Sequence, residues 1–198
     1  DTADKQISEE WQDTMWAAAD ALTLFDPDLV TPLLTVLVSR KEEIPDSAAQ
    51  QLAYLAGRLR ATNEEVVNWL IRLLVTNPSQ TVKAKALQSL AWMGLGIAEV
   101  RLPLANGRAG PTLKQLIQEI AAGRQVRGLS MGDFEVKLRA SDVTGSPLYL
   151  RRKAIEALAW IGDADTLKDL GRQYMDWPIE LREYWYQAAA MIARRARR

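Results

Sequence analysis

The chain contains no cysteine and no histidine among its 198 residues. These absences exclude disulfide scaffolds, zinc sites built from those ligands, cysteine nucleophiles and histidine general bases. The pair Gly94 and Gly96 lacks the third glycine and the preceding strand of a phosphate-binding loop. No apolar run approaches the roughly 20 residues that a transmembrane helix needs. We therefore assign no catalytic, cofactor-binding or metal-binding residue and expect a chain without enzyme activity.

Basic residues are scarce in the first quarter of the chain. The 25 basic and 25 acidic residues give a net charge of zero. However, residues 1–50 hold eleven acidic and three basic residues, a net charge of −8, and residues 51–198 carry the balancing +8. If sequence order is also spatial order, one end of the molecule is acidic and the other basic.

The N-terminus favours neither export nor a complete gene product. Residues 1–10 are polar and acidic and have no apolar signal-peptide core. The first residue is Asp rather than Met, so we expect a processed chain or, preferably, a fragment of a larger protein. The lack of cysteine suits the cytosol, and a cytoplasmic location is expected.

Helical periodicity dominates the chain. One stripe has the i, i+3, i+4, i+7, i+8 spacing of a helix face. Asp26 and Pro27 precede it, and an acidic N-cap followed by proline is a typical helix start. A second stripe lies upstream, so residues 9–39 are predicted to form two helices. The first stripe comprises Val30, Leu33, Leu34, Leu37 and Val38, and the upstream one Trp11, Met15, Ala18, Ala19 and Leu22.

Two segments that are distant along the chain carry the strongest internal similarity. Thr81–Gly94 and Tyr149–Gly162 share six of fourteen residues and both end in Ala-Trp-x-Gly. A weaker copy lies one helix pair before the first, where Tyr54 takes the position of Trp92 and Trp160. The spacing of this copy gives a period of about 38 residues with two helices in each unit, which is typical of an α-solenoid.

One copy resembles a known repeat family. Residues 151–170 are similar to the short HEAT repeats of bacterial HEAT-repeat proteins and phycobilisome-lyase-like proteins. Trp160 departs from that pattern, because a small residue is usual there. The resemblance implies stacked antiparallel helix pairs whose second helices line an inner surface. The matching residues are Arg152, Ala154, Ala157, Leu158, Ile161, Gly162, Asp163, Leu167 and Leu170.

We predict an all-α fold: a single α-solenoid domain of HEAT-like antiparallel helix pairs over residues 1–198. Thr62 or Asn63 is expected to cap one second helix, and Asp163 or Asp165 another. The predicted pairs span about residues 9–39, 46–76, 79–105 and 147–176, followed by a terminal helix over 178–198, with an insertion at 106–146.

An irregular element interrupts the repeat over residues 96–147. The next copy appears near residue 149 instead of 119, so about 30 residues are inserted by the repeat period. One helix is predicted inside, over Thr112–Ala122, with Leu113, Leu116, Ile117 and Ile120 on one face. A small hairpin is predicted over residues 126–139. Such insertions lie outside the stack and are often functional.

The tryptophans are predicted to be mainly structural, with ligand contact as the alternative for Trp92 and Trp160. Trp92 and Trp160 share a repeat position, and bulky residues at matched positions usually fill the core between repeats. Trp69 and Trp185 also lie on apolar stripes. The terminal helix has its own stripe: Leu181, Trp185, Ala188 and Ile192.

Two groups of polar residues are candidates for partner contact. The resemblance implies that exposed positions on the second helices do this, and these are Thr31 and Thr35, then Asn68 and Arg72, then Lys168, Arg172 and Gln173. The basic residues of the insert form the second group, because a positive patch binds acidic or phosphate-rich partners. Those selected are Arg124, Arg127 and Arg139. Each residue alone is also compatible with a plain solvated surface.

A non-catalytic protein–protein interaction scaffold is the favoured function, since extended solenoid surfaces suit elongated protein ligands. One alternative is a C-terminal sensor or regulatory HEAT domain of a larger signalling protein. Another is a lyase-like or nucleic-acid-binding HEAT protein. We expect a protein partner, no cofactor and no membrane, and nucleic acid is disfavoured because such proteins are usually more basic.

Overall fold

The computed structural model describes residues 13–14, 16–39, 44–103, 109–124 and 148–197. Over these residues the chain is mostly helical, which confirms the all-α class, and it has one small antiparallel sheet of strands β1 (Arg101–Pro103) and β2 (Ala109–Thr112). The helices in chain order are α1 (residues 16–22), α2 (Pro27–Val38), α3 (Asp46–Leu59), α4 (Glu64–Thr76), α5 (Gln80–Met93), α6 (Leu113–Ala122), α7 (Leu148–Ile161), α8 (Ala164–Gly171) and α9 (Ile179–Ala196).

Side-chain caps begin three of these helices where the sequence predicts them. The carboxylate of Asp26 accepts from the N–H of Asp28 at 2.9 Å at the start of α2. Asn63 caps α4 and Asp163 caps α8 in the same way, each accepting an N–H three residues later. These bonds satisfy amide groups that the first helical turn leaves without partners, so they locate the helix starts.

The helices pack mainly on near neighbours along the chain. Helix α3 packs against α5, α5 against α7, and α7 against α9. Helix α4 packs against α2 and α5, and α8 packs against α6 and α9. One continuous group of buried apolar side chains runs from Leu34 to Ala188. The chain therefore extends its core stepwise as each helix is added.

The inserted helix is part of this core, contrary to the prediction that the insertion lies outside the stack. Helix α6 packs against α7 and α8, and its predicted apolar face of Leu113, Leu116, Ile117 and Ile120 is buried. The antiparallel strands β1 and β2 lie between α5 and this helix along the chain.

The prediction of a second helix after α5, within the helix pair over residues 79–105, is wrong. A 3-10 turn at Leu95–Ile97 and strand β1 follow α5 there. Gly94, with φ of 83°, ends α5 and permits this change of direction. The hairpin predicted over residues 126–139 lies outside the described residues.

Only part of the apolar stripe predicted for helix α2 is buried. Val30, Leu34 and Val38 are buried, but Leu33 and Leu37 are exposed. Three buried residues at a spacing of four define a narrower face than the five that the sequence suggests.

The terminal helix α9 matches its predicted stripe, since Leu181, Trp185, Ala188 and Ile192 are its buried residues. Arg195 fastens this helix to the end of α7 by donating to the carbonyl oxygens of Ala159, at 2.8 Å, and Gly162. Within the described part of the chain, no helix is long and apolar enough to cross a membrane.

Candidate interaction surfaces

An aromatic side chain stands at the same repeat position on three successive core helices: Tyr54 on α3, Trp92 on α5 and Trp160 on α7. The rings of Tyr54 and Trp92 meet edge to face, with centroids 5.8 Å apart. Trp16 of α1 meets Tyr54 in the same manner at 5.2 Å. We call these four residues the aromatic surface. Edge-to-face contacts between rings are favourable in themselves and hold the side chains in fixed orientations.

Trp160 does not fill the core, so the structural role predicted for it is wrong. Its side chain is 53% exposed, and Trp92 is half-buried. Around Trp160, the residues of the last turn that face the core are buried: Ala157, Leu158, Ala159 and Ile161. Trp160 is therefore the outward position of that turn. Trp69 and Trp185 are buried as predicted, and Trp177 is buried as well.

Cationic groups lie against the aromatic surface. Lys85 of α5 places its Nζ 5.0 Å from the ring centre of Trp16 and 5.3 Å from that of Tyr54. Burial, and then the charge of Lys153, lower the pKa of Lys85. The helices that carry Lys85 and Lys153, α5 and α7, pack against each other.

Helix α1 is attached to this surface by a hydrogen bond. The hydroxyl of Tyr54 donates to the Asp20 carboxylate at 2.6 Å. This bond, helped by burial and by the negative charge of Asp20, raises the pKa of Tyr54. The phenol therefore stays neutral and keeps its donor over the whole physiological range.

The next positive charges along α7 are already paired. Glu156 accepts from Lys153 at 2.6 Å and from Arg152 at 2.8 Å. Burial acts to raise the pKa of Glu156, but these two bonds hold it below its ordinary value. The Arg152 guanidinium also lies 4.3 Å from the ring centre of Tyr184 on α9. On the aromatic surface itself, the Arg58 guanidinium lies 6.0 Å from the ring centre of Tyr54, so Arg58 and Lys85 are two cations in contact with its rings.

The predicted partner-binding residues fall on helices with different neighbours. Asn68 is exposed on α4, and Arg72, one turn later, is half-buried with its Nε lacking a hydrogen-bond partner. Lys168 is exposed on α8 and Arg172 at its C-cap. Helix α4 packs against α2 and α5 whereas α8 packs against α6 and α9, so the two groups lie on helices in different surroundings.

The insert was predicted to present Arg124 as a free surface cation, but Arg124 is paired. Its guanidinium bonds both carboxylate oxygens of Glu119, at 2.6 and 2.7 Å, and donates to Gln173. The bond to Glu119 raises the pKa of Arg124 despite its partial burial. The predicted pair of Gln173 and Arg124 is thus brought together, but it fastens α6 to the end of α8. Arg127 and Arg139 lie outside the described residues.

Lys114 is likewise paired. Its Nζ donates to Asp163 at 2.6 Å and to Glu99 at 2.8 Å. The buried amide of Gln118 donates to the Thr166 hydroxyl at 2.9 Å beside it. These bonds join α6 to the first turn of α8 and neutralise positive charge that the sequence assigned to a patch.

A second apolar surface lies on α2. Its exposed residues include Leu29, Leu33, Val36 and Leu37, and Leu24 and Phe25 are exposed in the turn before it. The sequence did not predict this surface, because it assigned Leu33 and Leu37 to the core. Exposed apolar patches of this kind mark interaction sites on soluble proteins.

The carboxylates of the described residues form no group of three or more that could hold a metal ion. In comparisons with protein-family models, curated protein sequences and solved structures, no match to this chain was found.

Proposed function

We propose that the chain is a non-catalytic interaction scaffold of HEAT-like helix pairs, and that it binds a protein partner through the aromatic surface. The exposed Trp160 at a repeat-equivalent position carries this proposal. An exposed indole is costly to leave in water, and tryptophan, tyrosine and arginine are the residues most enriched at the energetic centres of protein interfaces.

The packing order supports the solenoid part of the proposal. In an α-solenoid each unit contacts its neighbours, and equivalent positions form a line along the array. The contacts of α3 with α5, α5 with α7 and α7 with α9 have this order. The line from Tyr54 through Trp92 to Trp160 gives a track on which an extended segment with apolar side chains would lie.

The charge pattern favours a protein over a nucleic acid. Binding to a phosphate backbone depends on cations that are free to release counterions. Lys114, Arg124, Arg152 and Lys153 each pair with a carboxylate instead. An aromatic surface that only Arg58 and Lys85 are seen to contact as cations among the described residues suits apolar protein side chains better than a phosphate backbone.

The decisive experiment compares partner recovery by surface variants. Trp160→Ala should lower recovery of the saturably bound protein on the order of tenfold or more, as loss of a central aromatic contact does. Met175→Ala is the matched control, because Met175 is exposed to a similar extent, 57%, away from the aromatic surface.

The same assay tests the competing surface on the second helices. Lys168→Glu combined with Arg172→Glu reverses two exposed charges of α8 and should leave recovery unchanged. If this double variant abolishes recovery and Trp160→Ala does not, the aromatic surface is the wrong one. A salt-sensitive mobility shift with single- or double-stranded nucleic acid would favour the nucleic-acid alternative.

A further inference from the structure

The exposed apolar face of α2 has the geometry of a helix-docking site. Leu29, Leu33 and Val36 are 68%, 64% and 59% exposed. They follow one another at spacings of four and three residues, so they lie on one side of the helix, away from the buried Val30 and Leu34. This side is therefore a continuous apolar strip on the surface of the described chain.

The border of this strip is acidic. Asp20, Asp26 and Asp28 are exposed around the start of α2, and no lysine or arginine occurs over residues 16–39. A partner for the strip must therefore offer an apolar helix face that is bordered by positive charge.

The C-terminal half of α9 has that chemistry. Tyr186 and Met191 are exposed at 57% and 43%, and Arg194 and Arg197 are exposed beyond them. No acidic residue occurs over residues 184–197. The exposed residues at 186, 187, 190, 191 and 194 lie on one face, opposite the buried Trp185, Ala188 and Ile192.

We propose that the α2 strip of one copy docks against the C-terminal half of α9 in a second copy, with the two helices antiparallel. In this orientation Asp28 faces Arg194, and Val36 faces Tyr186. The two spans match, because eight residues separate the members of each pair along their helices, which is about 12 Å at the helical rise. The antiparallel arrangement also places the negative end of the α9 dipole at the positive start of α2.

The pairing joins two molecules head to tail. Helix α2 packs against α3 and α4, whereas α9 packs against α7 and α8, so the two faces lie at opposite ends of the series of contacting helices. A single contact between unlike faces at opposite ends of a molecule leads to a ring or an open chain of copies instead of a closed dimer. Each bound pair of copies therefore leaves one α2 strip and one α9 face free for further copies.

Sedimentation velocity over a series of protein concentrations tests this proposal. The average mass of the full 198-residue chain should rise with concentration and fall with added salt. Leu33→Glu and Met191→Glu should each raise the dissociation constant on the order of tenfold or more. Both positions are exposed, so circular dichroism should show unchanged folding, and Leu95→Glu, at an exposed position away from both faces, is the control.

Mixing the two variants separates docking of α2 on α9 from docking of α2 on α2 or of α9 on α9. The Leu33→Glu copy keeps an intact α9 and the Met191→Glu copy an intact α2, so their mixture should form one-to-one dimers and nothing larger. The proposal is overturned if the unaltered chain is monomeric at its highest soluble concentration. It is also overturned if only one variant weakens association, or if the mixture stays monomeric.

Discussion

Truncation of Leu116 to alanine tests whether α6 belongs to the core. Leu116 is 1% exposed, and the adjacent Ile117 and Leu113 are fully buried. A buried leucine replaced by alanine loses the transfer free energy of its methyl groups and leaves a cavity, at a combined cost of about 2–5 kcal/mol. A cost of about 3 kcal/mol is a large part of the total stability of a domain, about 5–15 kcal/mol.

Urea denaturation followed by circular dichroism measures this cost. With a denaturant slope of about 2 kcal/mol per molar, a loss of about 3 kcal/mol lowers the midpoint by about 1.5 M, with the slope unchanged. Tryptophan fluorescence should report the same midpoint if unfolding is two-state. Leu95→Ala is the control, since Leu95 is exposed and its truncation should change stability by less than about 0.5 kcal/mol. If Leu116→Ala shifts the midpoint no more than Leu95→Ala does, α6 is an appendage and the packing described for it is wrong.

Two other perturbations have defined outcomes. Gly57→Ala should destabilise the fold by about 1–2 kcal/mol in the same urea assay. A Cβ at this position would lie 2.7 Å from the Cα of Ser89 on α5, and the cost of that overlap exceeds the gain in helix propensity. Unchanged stability would mean that α3 and α5 are farther apart than the structure shows. Burial acts to raise the pKa of Asp163, but bonds from Lys114 and Thr166 hold it below its ordinary value. The stabilisation from these bonds is therefore complete above the unfolded-state pKa and is lost as the pH falls through the lower folded-state pKa. Asp163→Asn, which keeps the helix cap, should reduce the slope of stability against pH below about pH 5, and an unaltered slope would show that the ion pair contributes nothing.

Local hydrogen bonding explains which parts of the fold the sequence predicted well. Asp26, Asn63 and Asp163 cap their helices because the cap is formed by residues within three positions of one another. Such bonds need no information about the rest of the chain. The bounds of α6 and the buried stripe of α9 were predicted for the same reason, since periodicity along one helix is also local.

The placement of α6 was not predictable in this way. Counting repeat periods shows that residues are inserted, but not which inserted helix returns to the core. That depends on the pairing of β1 with β2, whose register contains an irregularity between Arg101 and Pro103. Two strands of three and four residues give little periodic signal.

Trp160 was misassigned although the sequence held a signal against the core. The stripe of Ala154, Ala157, Leu158 and Ile161 has helical spacing, and Trp160 lies two residues after Leu158, about 200° around the helix. Similarity to Trp92 outweighed that geometry in the prediction. A matched position in a repeat specifies the direction in which the side chain leaves its helix. Whether that side chain is buried depends on the residue that the neighbouring helix places beside it, as Tyr54 does beside Trp92.

The balance of charge bears on how copies of the chain would meet. The zero net charge combines an acidic and a basic segment: residues 16–39 hold three acidic and no basic residues, and residues 184–197 hold three basic and no acidic ones. Zero net charge removes the general repulsion that keeps proteins apart in solution. At physiological salt the electrostatic screening length is about 8 Å. The twelve residues of α2 span about 18 Å, and α9 is longer, so each docking helix is longer than the screening length. The charged segments therefore do not orient one molecule toward another over long distances, and direction is selected on contact. Antiparallel docking of α2 on α9 pairs Asp28 with Arg194, whereas parallel docking of α2 on a second α2 would bring Asp26 and Asp28 of both copies together.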